Sequence, residues 1–85
     1  MAKFKVEFKK SAVKQLKSFP QSTQTNILNS ISARLVASPY LADGKHIKKL
    51  TDGYRLRVGN YRIFYYLDQK IVVITSIIRR TSTTY

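Results

Sequence analysis

The chain opens on an alternation: Phe4, Val6 and Phe8 interleave with Lys3, Lys5, Glu7 and Lys9. Successive strand side chains point to opposite faces, so this period of two predicts a half-buried first strand. The spacing then becomes helical. Val13, Leu16 and Phe19 point inward in this reading, Lys14 and Lys17 outward, and Ser11 stands where an N-cap belongs. Pro20 breaks that helix. A second is predicted from about Ser22 to Ala37, closed by Pro39, with Ile27, Leu28, Ile31 and Leu35 as its apolar stripe. The segment from Pro39 to Gly53 reads as a loop carrying Lys45, His46, Lys48 and Lys49.

The period of two returns between Tyr54 and Tyr66, interrupted by Gly59-Asn60, a pair that signals a tight hairpin. A third strand, Ile71 to Ile78, follows the turn Asp68-Gln69-Lys70, and its apolar run suits a central strand covered on both faces. The order of elements predicts an α+β fold in a single domain, residues 1–85. An N-terminal strand leads into a helical hairpin, then a three-stranded antiparallel meander, with the helices packed on one face of a mostly antiparallel sheet.

If Gly59 and Asn60 form the loop, Val58 faces Tyr61, Arg57 faces Arg62 and Arg55 faces Phe64. The three arginines then share one face. Like charges directly opposite weaken a sheet, so folding alone gives no reason for them; an anion bound over that face does. Tyr61, Ile63, Tyr65 and Leu67 share the other face and read as core.

Charge widens this local signal to the whole chain. Sixteen Lys and Arg stand against four acids, for a net +12 and a pI near 10.3. Such a domain points to nucleic acid, an anionic membrane surface or an acidic protein. No long basic amphipathic helix stands out, the apolar runs are too short to span a bilayer, and the N-terminus lacks a signal peptide's apolar segment. The expectation is a cytoplasmic protein that binds nucleic acid, an acidic protein, or both.

With no cysteine, one histidine and four scattered acids, composition argues against thiolate catalysis, a histidine acid–base pair and a first-row metal site. No metal and no cofactor are expected. The glycines are isolated, so there is no glycine-rich phosphate loop, and His46, set between lysines, reads as merely exposed. What remains is cations and tyrosines. Five of the six arginines lie between residues 55 and 80, and the guanidinium fork grips phosphate bidentately without losing its charge. Tyrosine faces hold unstacked bases. Arg79 and Arg80 compete for the end of the last strand, since the parity of the Asp68–Lys70 turn decides which lies on the Arg62 face.

The run Tyr54-Arg55-Leu56-Arg57-Val58-Gly59-Asn60-Tyr61-Arg62-Ile63-Phe64-Tyr65, continued through the Ile71–Ile78 strand to Arg79 and Tyr85, resembles the toxins of the RelE/ParE superfamily. These are the toxic halves of bacterial type II toxin–antitoxin pairs, and the likeness covers nearly the whole chain. It implies one of two activities. RelE-like members cut messenger RNA in the ribosomal decoding site, whereas ParE-like members inhibit DNA gyrase. Arg62 after the Gly-x-Tyr turn, Arg79 at the end of the last strand and Tyr85 six residues on resemble the RelE-like set. The resemblance thus implies a metal-free endoribonuclease leaving a 2′,3′-cyclic phosphate and a 5′-hydroxyl. Arg57 and Arg62 would clamp the phosphate, Arg79 would neutralise the leaving oxygen, and Tyr85 would stack on a base or orient the 2′-hydroxyl. Arg55, Lys48, Lys49 and Arg80 complete the expected phosphate-binding set. Many relatives carry lysines where this chain has Arg55 and Arg57, so the general base is left to Lys48, Lys49 or ribosomal RNA. The implied partners are an acidic antitoxin, mRNA and the ribosome, with operator DNA reached only through the antitoxin. A gyrase inhibitor, or a nontoxic RNA- or protein-binding module, is the alternative.

Overall fold

A computed structural model describes residues 4–36 and 46–79. The elements run β1 (Lys5–Phe8), α1 (Lys10–Lys17), α2 (Gln21–Arg34), β2 (Ile47–Leu50), β3 (Gly53–Val58), β4 (Tyr61–Asp68) and β5 (Ile71–Arg79). They build one five-stranded sheet in the order β1-β5-β4-β3-β2, parallel only between β1 and β5. The two helices pack on one face. The core between the layers gathers Ala12 and Leu16 from α1, Ile27 and Ile31 from α2, Leu35 just beyond it, and Leu56, Ile63, Tyr65, Val72, Ile74 and Ile77 from the sheet. Tyr61 and Leu67 pack against its edge, as their shared strand face requires.

The meander begins one strand earlier than the sequence pattern indicates. Ile47–Leu50, expected within a loop, is an edge strand whose Ile47 is 4% exposed and lies opposite Leu56. Its apolar residues are separated by Lys48 and Lys49, so four residues show no alternation to read. Leu28, expected in the α2 stripe, is 42% exposed; the buried positions Ile27, Ile31 and Leu35 recur every fourth residue and leave Leu28 outside. Helix α2 stops at Arg34, before the expected Ala37, and Pro39 lies outside the described residues.

Ser11 is not the α1 cap. The cap position is Lys9, without a side-chain bond, and Ser11 lies within the first turn, donating its hydroxyl to the Thr75 carbonyl at 2.9 Å. This contact belongs to a larger substitution. Strand β1 ends at Phe8 while β5 runs on, leaving the outer edge of β5 uncovered. Lys9 N–H donates to the Ile74 carbonyl at 2.9 Å, Ser11 follows, and Gln15 Oε1 accepts from the Ile77 amide at 2.7 Å. Side chains of α1 thus continue the hydrogen bonds that β1 no longer makes, satisfying backbone groups an open edge would leave bare.

Candidate phosphate-binding face

All three hairpin turns, β2–β3, β3–β4 and β4–β5, hold two residues. Gly59 takes φ +56°, a sign that favours glycine at the first position of a tight hairpin loop. The resulting register pairs Val58 with Tyr61, Arg57 with Arg62, and Arg55 with Phe64. Arg57 gives its amide to the His46 carbonyl at 2.7 Å, on the β2 side. Toward β4 it therefore forms a non-hydrogen-bonded pair with Arg62, the kind in which Cα atoms approach to about 4.5 Å and side chains lie closest. The two arginines are thus cross-strand neighbours on the sheet face away from the helices.

Neighbouring strands extend this into two rows. His46, one rung beyond the Ile47–Leu56 pair, joins Arg57, Arg62 and Ile78; Lys48, Arg55, Phe64 and Ser76 form the next row. His46 is half-buried at the end of this ladder rather than merely exposed in a loop. Residues 46 and 48 share a face two apart, a signal legible only once this segment is known to be a strand. Arg57 and Lys48 are exposed, Arg55 and Arg62 half-buried, and the Arg55 Nε atom is itself buried. Lys49 lies opposite Tyr54 and so leaves the arginine face.

Beside the second row lies a groove of about 630 Å³ lined by Leu50, Asp52, Gly53, Phe64, Tyr66 and Thr75, among others. Its aromatic lining suits a base. Gly53 is required there for a reason the sequence conceals: a Cβ would overlap the Tyr65 carbonyl oxygen on the next strand.

Position 79 does not fall on the face of Arg57 and Arg62. From Asp68↔Ile71 to Tyr65↔Ile74 the β4–β5 register is regular, but Thr75 is extra, and beyond it Phe64 pairs with Ser76, Arg62 with Ile78 and Tyr61 with Arg79. An even turn alone would put position 79 in phase with Arg62; the bulge moves it to the helix side, opposite Tyr61. Of the two candidates at the end of the last strand, the grouping of Arg79 with Arg57 and Arg62 is thereby corrected: Arg79 lies off the face that carries those two, with Arg55 and Lys48 a row away. Arg80 and Tyr85 lie outside the described residues. Ile78, expected to be covered, is 48% exposed beside Arg62. Among the described residues no three of His, Asp and Glu gather, and no helix is long and apolar enough to cross a membrane.

A two-helix layer over a mostly antiparallel sheet with an arginine-bearing open face defines the class of protein to which known relatives can be compared. The RelBE2 toxin–antitoxin complex from Mycobacterium tuberculosis contains a chain with a TM-score of 0.78 at 23% identity, covering 92% of this chain and 99% of that one. The archaeal RelE–RelB complex from Pyrococcus horikoshii OT3 gives 0.73 at 25%, covering 96% and 99%. The RelB–RelE complex from Methanococcus jannaschii gives 0.63 at 28%, covering 91% and 93%. No curated protein matches in sequence. The family described as the ParE toxin of type II toxin–antitoxin systems, parDE, matches residues 6–83. The chain belongs to that family, within the RelE/ParE superfamily, and is a type II toxin with a RelE-like fold.

Proposed function

We propose that this toxin is a metal-independent endoribonuclease that cuts mRNA, in the ribosomal A site, in the cytoplasm. The RNA 2′-hydroxyl gives its proton to a base, for which Lys48 or ribosomal RNA is the candidate, as its oxygen attacks the adjacent phosphorus in line; the bond to the 5′-oxygen breaks, and that oxygen takes a proton and leaves as a hydroxyl. The product is a 2′,3′-cyclic phosphate. Negative charge builds on the phosphoryl oxygens, where preorganised cations act most strongly. Arg57 and Arg62 hold those oxygens, Arg55 and Lys48 extend the cationic track, and Phe64 and Tyr66 offer faces for a base. Arg80 is the candidate for the leaving oxygen and Tyr85 for stacking or for orienting the 2′-hydroxyl, both from the sequence.

The observation that carries this reading is the Arg57–Arg62 pair, placed where a sheet disfavours it and where, among the described residues, no helix covers it. Arg62→Ala and Arg57→Ala should each lower cleavage about 10²- to 10³-fold and relieve growth arrest while the circular dichroism spectrum stays unchanged. Full toxicity in both folded variants would refute it.

Membership of the ParE toxin family supports a second reading, inhibition of DNA gyrase, which the resemblance to ParE-like toxins implies. It predicts double-strand DNA breaks and intact transcripts on induction. In either case an acidic antitoxin is the proposed partner, since the neighbouring folds were solved with RelB antitoxins and a +12 surface attracts an acidic chain.

A further inference from the structure

The bulge at Thr75 sits between two stretches of β5 that pair with β4 in different phase. Before it, Val72 and Ile74 face the helices; after it, Ile77 does, three residues on rather than two. A regular strand would instead turn Ser76 into the core and bring position 79 onto the Arg62 face. The bulge is fastened at three points. Thr75 donates its hydroxyl to the Phe64 carbonyl at 3.1 Å, its own carbonyl accepts from Ser11 at 2.9 Å, and the Ile77 amide donates to Gln15 at 2.7 Å. Two of those partners come from α1, far away in sequence.

We propose that the Thr75 bulge, held from α1 by Ser11 and Gln15, decides which cation the last strand contributes to the phosphate face, and that it excludes Arg79. Ser11, Gln15 and Thr75 are positioning residues: none reaches the phosphate, and each acts through the phase of β5. The inference rests on reading the Arg57–Arg62 face as a phosphate site. It adds that membership of this face is set by a backbone register, not by arginine's place in the sequence. The Ile77-Ile78 doublet makes the claim testable, because a shift of one position exchanges one core isoleucine for another.

Two deletions separate phase from bulge. Deleting Thr75 alone removes the extra residue and leaves Ile78 opposite Arg62. Deleting Thr75 and Ser76 together places Ile78 opposite Ile63 in the core and Arg79 opposite Arg62. Cross-strand nuclear Overhauser contacts read the phase without RNA: Arg62 to Ile78 is expected in the natural chain and the single deletion, and Arg62 to Arg79 in the double deletion. Binding of a 2′-O-methyl RNA octamer, which cannot be cut, is then followed against salt. Each lost phosphate contact lowers the slope of log K against log salt by about 0.7. Arg79→Ala should leave the slope unchanged in the natural chain and the single deletion, and lower it by about 0.7 in the double deletion. With Ser11→Ala and Gln15→Ala combined, the phase loosens and Arg79→Ala begins to lower the slope. The inference is overturned if Arg79→Ala acts in the natural chain as Arg62→Ala does. It is equally overturned if Arg79→Ala has no effect in a folded double deletion showing the Arg62–Arg79 contact. If Arg57→Ala and Arg62→Ala both leave the slope unchanged, the phosphate reading of the face fails instead, whatever the phase.

Discussion

Arg57 facing Arg62 is a poor choice for a sheet: a like-charged cross-strand pair disfavours folding, where an aromatic or β-branched pair would contribute roughly 0.2–1 kcal/mol. Its position was legible because a Gly-Asn loop fixes a hairpin register almost by itself, and the register is the expected one. Single residues further from the turn were less legible. Lys48 and Lys49 are adjacent and chemically alike in sequence, yet opposite Arg55 and Tyr54 they belong to different faces. Lys48→Ala should therefore weaken binding of the RNA octamer about three- to fivefold, in the range of one exposed charge interaction. Lys49→Ala should change it by much less, as titrations at fixed salt will show. Equal losses would mean that only overall charge matters.

The elements themselves were mostly written in periodicity: β1, the two helices, the β3–β4 hairpin and β5 all follow from their apolar spacing. What periodicity could not carry was a four-residue edge strand of sequence Ile-Lys-Lys-Leu and a single extra residue in β5. Neither is decided by its own residues alone: β2 forms by pairing with the adjacent β3, and the bulge is set by side chains of the distant α1 and the need to bury Ile77 rather than Ser76. The β4–β5 turn has a cost of its own. Gln69 adopts φ +56° without being glycine, a conformation that costs a side-chain-bearing residue about 1–2 kcal/mol. Gln69→Gly relieves it at the expense of some chain entropy, so a gain of roughly 0.5–1 kcal/mol in denaturant unfolding is expected. A loss of stability would place the origin of this turn elsewhere.

Among the described residues, both helices cover one side of the sheet and no helix covers the other, where the arginine pair lies near the β3–β4 turn. A net +12 spread over a small domain gives strong long-range attraction to polyanions and acidic chains. Association with an acidic antitoxin should thus slow steeply with added salt, about tenfold or more between 50 and 500 mM, while dissociation changes little. Stopped-flow mixing measures both rates; an association rate indifferent to salt would contradict electrostatic capture.

Cleavage of messenger RNA by the arginine face remains the claim on which the rest turns. Sequencing transcript 5′ ends minutes after induction tests it most directly. The expected result is new 5′-hydroxyl ends inside translated codons, absent from the Arg62→Ala variant. Intact transcripts accompanied by double-strand DNA breaks would contradict it and assign the fold to gyrase inhibition instead.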